Sequence, residues 1–494
     1  MRRDRVVVIS AGLGGLAAAC RLAGAGHAVT VLERAAGPGG RAGRLQLGEY
    51  TFDTGPTVLT MSGLLADTFA AAGVAMEDVL TLIPLDPMYR AVFADGSVIK
   101  VRRGREAMAA EIAAVCGSTE ADAFGRFCDW LTELYVLERD AFIDRNFDAP
   151  VDLVWPLRPA LRLLQLGGLR NLARKVASFF HDERLQRLFS FQSLYAGLAP
   201  QRALAVYSVI TYMDTVEGVL FPVGGMAAVG TALATAAEKA GAEFRFDCEV
   251  DRVLLARGTS GAVTGVRLAS GEVVAADVVV CNPDLPVAYR TLLPGTPPPR
   301  RTRTGTYSPS AVLWHGGGRG PLPAEAAHHN IHFGDAWRSA FEALLDDGRP
   351  MPDPSILVSV PTMTEPGMAP PGGHVLYALE PVPNLDGAVD WVRERDAARS
   401  RLLAQLAAAG YPTQAEVETF VDPLDWERDG MERGTPFALA HRFFQSGPFR
   451  PGNVDRRAPG LVFVGSGTVP GVGVPMVLLS GRLAALRVEA HLRA

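Results

Sequence analysis

Residues 6 to 33 constrain the fold of this chain more than any other stretch. Val6-Val7-Val8-Ile9 is a bare run of β-branched apolar residues, which suits a strand buried on both faces. Ser10-Ala11-Gly12-Leu13-Gly14-Gly15-Leu16 follows and opens a small-residue helix, Ala17 to Ala23, that ends in Gly24 and Gly26. Ala28 to Leu32 is a second strand, and Glu33 stands at its end. Strand, glycine turn, helix, strand and terminal acid within about thirty residues is the plan of a dinucleotide-binding βαβ unit.

Each part of that plan has a physical task. Glycines after the first strand let the backbone approach a pyrophosphate, and the helix N-terminus offers free N–H groups and a positive dipole end. Gly15, one turn in, allows helix and strand to pack closely. The Glu33 carboxylate, 21 residues beyond Gly12, can accept hydrogen bonds from ribose hydroxyls and would repel a 2′-phosphate, which selects NAD or FAD over NADP. Ser10 stands where the pattern has glycine; serine is tolerable there at negative φ and costly at positive φ. A glycine-rich turn without a ligand is the competing reading, and the completeness of the unit weighs against it.

With 494 residues, 48% of them hydrophobic, the chain can bury a large core and hold two or more domains. A net charge of −5 argues against nucleic acid as a partner, since Arg300-Arg301-Thr302-Arg303 is only a short basic loop. Five cysteines without C-x-x-C spacing fit a reducing, cytoplasmic setting. Arg2, Arg3 and Arg5 before an apolar run imitate a secretory signal, but cleavage there would destroy the nucleotide unit. No uninterrupted apolar run reaches about eighteen residues, so no spanning helix is expected, while lying on a membrane stays open.

Further along, Gly37-Pro38-Gly39-Gly40-Arg41 is a turn whose arginine could pair with a pyrophosphate or simply be a solvated cation. Thr51 to Thr57 leads from a strand into a turn and a helix from Met61 to Ala72. In Thr119 to Glu138 the residues Phe124, Phe127, Cys128, Leu131, Leu134 and Tyr135 share one helical face and read as core. Leu157 to Phe180 carries Arg158, Arg162, Arg170, Arg174 and Lys175 among apolar residues without an intervening acid; it reads as an interfacial segment or as a surface helix with snorkelling arginines. His328, His329 and His332 lack acids or cysteines at ligand spacing, so no metal is expected. Near the end, the strand Leu461 to Val464 runs into Gly465-Ser466-Gly467-Thr468-Val469-Pro470-Gly471-Val472-Gly473-Val474-Pro475 and a helix to about Leu492. A second glycine-rich strand–helix junction brings another positive helix end, and two such junctions suit a long two-headed cofactor, FAD rather than NAD.

The stretches SAGLGGLAAA, LERAAGPGGRAG and FDTGPTVLT, with FFHDERLQRLFSFQSLYAG (179–197) and GVLFPVGGMAAV (218–229), resemble the bacterial phytoene desaturases, flavoproteins of the amine-oxidase-like superfamily. The resemblance runs along nearly the whole chain. It implies an α/β fold (α+β overall): a Rossmann-type FAD domain from residues 1–95, 223–283 and 455–494, a mainly helical, membrane-associating region at 96–222, and a mixed-sheet substrate domain at 284–454. It implies FAD binding by Gly12, Gly14, Gly15, Glu33, Arg34, Gly40, Arg41, Gly55, Pro56 and Thr57, by the Val250 backbone at the adenine, and by Gly465, Ser466, Gly473, Val474 and Met476. A hydrophobic polyene taken from the bilayer, hydride transfer to flavin N5, peripheral membrane association, and a quinone or oxygen as electron acceptor follow from the same resemblance.

Asp152, in a family-like stretch before the basic segment, is the candidate acid, with a helix-cap role competing. The chain departs from the family pattern at Val469, where histidine is usual, and at Met476, where glycine is usual. Other functions on such a fold are amine oxidation, redox-neutral carotenoid isomerisation and non-catalytic lipid binding.

Overall fold

The computed structural model describes residues 4–155, 157–257 and 261–493. Arg2 and Arg3, noted above for their likeness to a secretory signal, lie outside the described residues. A five-stranded parallel sheet gathers chain from both ends and the middle, in the order Leu461–Phe463, Val278–Cys281, Arg5–Ile9, Ala28–Leu32, Glu243–Arg245. Arg5–Ile9 is its centre, with Val8 between Val280 and Val31, which is why that strand is apolar on both faces.

One face is covered by three helices rich in small residues, Leu13–Gly24, Ala227–Lys239 and Val474–Arg493. The last of these presses so closely on the first that a Cβ at Gly481 would lie 2.6 Å from the Ala17 Cβ. An antiparallel sheet, Val250–Leu255, Val263–Leu268 and Val273–Ala275, packs on the other face.

A second sheet of seven strands runs Val417–Val421, Ser310–Gly318, His374–Val382, Ile356–Ser359, His329–His332, Tyr89–Val92, Val98–Val101. It is antiparallel except where His329–His332 lies parallel to Tyr89–Val92. The hairpin 89–101 therefore belongs to this sheet, not to the nucleotide unit or the helical region where the expected boundary at 95/96 would split it. Its edge pairs with residues 330–332, more than two hundred positions away, and nothing local in the sequence marks such a partner.

Residues 105–217 are mainly helical. Ser118–Glu138 buries its aromatic face as expected, with the Phe127 ring 5.1 Å from Phe180 and 5.3 Å from Phe189. The basic segment divides into Leu157–Gln165 and Leu172–Ala177, and Arg162 finds its counter-charge outside the segment, at Glu133. No helix among the described residues is long and apolar enough to cross a membrane.

Candidate functional site

Three glycine turns meet at the carboxyl ends of the parallel strands. Gly12 is the N-cap of Leu13–Gly24 and has no side-chain cap, so the first turn keeps its N–H groups for another acceptor. The loop at Gly39 pairs with Gly12, and a Cβ on Gly40 would lie 3.0 Å from the Gly12 Cα. From the far end of the chain, Gly465 (φ +101°) comes so near that a Cβ on Gly14 would lie 3.2 Å from its Cα and 2.9 Å from Asn282 Oδ1. Asn282, at the end of Val278–Cys281, is wedged among Gly12, Gly14 and Gly465, a link the sequence did not advertise.

Glu33 closes the first unit. Its buried carboxylate accepts from Ala11 N at 2.6 Å, from Ser10 Oγ at 3.1 Å and from Ala35 N at 2.9 Å. Ser10 does adopt a positive φ, +77°, where glycine is favoured. Its hydroxyl gives back part of that cost by donating to Glu33.

Two arginines tie the turns together. Arg41 donates to Ser466 Oγ at 2.7 Å and to the Pro436 carbonyl, so the N-terminal loop is bonded to the C-terminal turn. The nearby Asp284 carboxylate favours the charged form of Arg41. Arg450, 3% exposed, donates to the carbonyls of Thr468 (3.0 Å), Ser466 (2.7 Å) and Leu439 (3.1 Å), with burial pushing it down to about 10. Arg450 fixes the turn Gly465 to Gly473 from beneath and belongs to no recognisable motif. His441 packs on that turn too, its ring 2.1 Å from where a Cβ on Gly471 would stand; the turn that lacks a histidine at Val469 thus receives one from elsewhere.

A cavity of about 1320 Å³ opens from these turns. Gly12, Gly14, Glu33, Arg34, Gly40 and Arg41 line one end, with Val250 beside them. Gly55, Pro56 and Thr57 also line it, as do Gly465, Ser466, Gly473, Val474 and Met476. Arg34 is turned outward enough to donate to the Asp429 carbonyl at 2.9 Å. Beyond, the walls become apolar, with Phe191, Ile331, Phe333, Trp337 and Leu357.

Two expected site residues do not reach the cavity. Gly15 faces the other way, where a Cβ would stand 2.3 Å from the Ser10 carbonyl oxygen, so its role is packing. The Asp152 carboxylate accepts from Asp148 N (2.8 Å) and Ala149 N (3.0 Å), the cap of its own 3₁₀ turn. Those two N–H groups hold its pKa below the usual carboxylate range, so it is a poor proton acceptor.

Among the acids that do line the cavity, Glu138 and Asp214 are deeply buried, 5% and 4% exposed. Burial raises both, Asp214 to about 7 and Glu138 well above its ordinary value. No motif marks them; a single acid beside the aromatic positions of a helix looks like any surface residue. Among the described residues no cluster of three metal-ligating side chains gathers. The His328 and His329 rings lie 4.4 Å apart, and burial pushes His328 down to about 3.

A family model described as flavin-containing amine oxidoreductase matches residues 13–488. The chain belongs to that family. It is 48% identical over 493 residues to a phytoene dehydrogenase of Streptomyces griseus, covering 98% of this chain and 95% of that one. It is 38% identical to a zeta-carotene-forming phytoene desaturase of Myxococcus xanthus, covering 98% and 93%. Among solved structures, an oxidoreductase from Methanosarcina mazei has a TM-score of 0.62 at 19% identity, covering 98% and 100%, a likeness of fold. The cofactor of this family's chemistry is a flavin, and the residues present fit FAD: an uncapped helix N-terminus beside tightly apposed glycines, a buried carboxylate at the end of the second strand, and a second glycine turn bonded across to the first.

Proposed function

We propose that this protein is a carotenoid desaturase of the phytoene type, which dehydrogenates a long acyclic polyene and forms lycopene or a related carotene. The observation that carries the reading is the cavity, polar and glycine-lined at one end and walled by aromatic and aliphatic side chains beyond it. The names and near-complete coverage of the relatives support the same substrate class. Gly12, Gly14, Glu33 and Arg41 hold the nucleotide half of FAD, with Val250 at the adenine, and Gly465, Ser466, Gly473, Val474 and Met476 hold the flavin half. Bound FAD supplies a hydride acceptor at N5. The protein's own part is to lay a C–C bond against that acceptor and exclude water, and the side chains of Phe191, Ile331, Phe333 and Leu357 offer no competing hydrogen bonds along the chain of a polyene.

Such a substrate is dissolved in lipid, and the segment 151–169 suits a membrane surface. Val151, Trp155, Leu157 and Leu161 are 62%, 70%, 55% and 48% exposed, while Leu153, Ala160 and Leu163 of the same segment line the cavity. With Arg158, Arg170 and Arg174 nearby, this patch is the peripheral membrane face and the door for the polyene. The electrons leave to a quinone or oxygen, both of which reach a cavity that opens on lipid.

Purified protein with FAD, liposomes and phytoene tests the reading through the absorbance of extracted products. Longer-wavelength polyene bands growing with time are expected. Phytoene recovered unchanged from FAD-loaded protein would contradict it.

A further inference from the structure

The wall of the substrate cavity carries a polar device that the desaturase reading does not by itself supply. The helix Ser208–Tyr212 passes into a π-helical turn, Met213–Glu217, an irregularity that tends to occur at functional sites. Asp214 sits in that turn, 4% exposed, lining the cavity, and its Oδ2 has no hydrogen-bond partner. The adjacent Met213 shares an apolar cluster with Met61, against which Met476 of the C-terminal glycine turn also packs, and Met213, Asp214 and Met476 all line the cavity. The Tyr89 hydroxyl faces the carboxylate and favours its charged form, although the two make no close, well-aligned hydrogen bond with each other or with any other group. Behind Tyr89 the polar line continues to His329, whose ring is 5.7 Å away and whose two nitrogens are unpartnered as well. Leaving several buried polar atoms unmatched in one place is costly, and a functional duty is the usual reason that it persists.

We propose that Asp214 is the proton acceptor of this cavity, with Tyr89 positioning its carboxylate. The proposal rests on the desaturase reading. In that reaction one carbon loses hydrogen with its electron pair, as hydride, to oxidised FAD. The neighbouring carbon loses hydrogen as a proton to an Asp214 oxygen, and the electron pair left behind becomes the new π bond. Two electrons leave the substrate and two enter the flavin. Burial sets the carboxyl at about 7, which suits an acid–base group that works near neutrality. The groups that act on it are the Tyr89 and Tyr195 phenols; Glu138 lines the same cavity, Glu217 closes the same π-helical turn, and neutral His329 lies behind Tyr89.

The test is anaerobic flavin reduction by phytoene in liposomes, followed from pH 5.5 to 8.5 in FAD-loaded parent, D214N and Y89F. The parent should bleach, faster as pH rises through about 7. D214N should keep its FAD but bleach at least roughly a hundredfold more slowly, without that pH dependence, and D214E should recover part of the rate. In Y89F the midpoint should move to higher pH, because the phenol favours the charged carboxylate. Bleaching of D214N within threefold of a reactive parent, or a Y89F midpoint unmoved, would overturn the proposal, whereas a parent that phytoene never bleaches would overturn the desaturase reading instead.

Thermal melting gives a readout independent of turnover. Between the ordinary 3.8 and about 7 the folded chain keeps a proton on Asp214 that the unfolded chain has lost, so this contribution to stability is full below about 4 and is lost as pH rises through 7. Asparagine does not ionise. The melting temperature of D214N relative to parent should therefore increase from pH 5 to pH 8.5, and a constant difference would count against an ionising Asp214.

Discussion

Ser10 and Glu33 form one unit at the residue scale. A serine held at φ +77° costs about 1 kcal/mol against glycine, and its hydroxyl bond to Glu33 offsets part of that. S10G should therefore melt at the same or a slightly higher temperature and hold FAD at least as tightly as the parent; weaker FAD retention would mean that the hydroxyl's hold on Glu33 outweighs the strain. Glu33 is the more sensitive position, because it also fixes Ala11 N and Ala35 N. Hydrogen bonds to a charged group contribute about 1.5–3 kcal/mol, so E33A should weaken FAD binding roughly tenfold to a hundredfold, measured by flavin released on dilution. Unchanged occupancy would remove Glu33 from the ribose. Both residues were legible in the sequence, because a turn between strand and helix is a local object with a known spacing. Asn282, Arg450 and Asp214 were not, since each acquires its role only from chain brought to it across long loops.

The segment Leu157–Gln165 shows, at the scale of elements, what a charge pattern can and cannot say. Its sequence has no acid, yet Arg162 is paired with Glu133 from the neighbouring helix, so the run is less cationic than it reads. Lys175 is also engaged, with Nζ 4.8 Å from the Trp130 ring and 4.9 Å from Phe179. Reversal confined to Arg170 and Arg174, both exposed, tests the surface without disturbing that packing. At about 1 kcal/mol per charge near an anionic surface, R170E/R174E should bind anionic liposomes at least roughly tenfold more weakly, with the difference fading at high salt. W155S/L161S should lose binding to uncharged liposomes as well. Equal pelleting of both variants and parent would place the membrane face elsewhere. The hairpin Tyr89–Val92 and Val98–Val101 teaches the complementary lesson: its place in the second sheet is invisible locally, because pairing with His329–His332 is decided by topology.

For the whole molecule, the governing fact is that residues 5–33 and 461–493 build one sheet and one cavity mouth, bonded through Arg41 to Ser466. A ligand spanning both ends should stabilise the entire chain. Free FAD at a hundred times its Kd should contribute about 2.7 kcal/mol, seen as a higher melting temperature for the loaded protein. The most direct measurement is FAD binding at equilibrium to the parent and to variants that crowd each end of the cradle separately, G14V near the start and G465V near the end. One FAD per parent chain is expected, with occupancy sharply reduced in each variant although the substituted positions lie 451 residues apart. A parent that takes up no FAD, or two variants that bind it as well as the parent, would contradict a single coenzyme gripped from both ends of the chain.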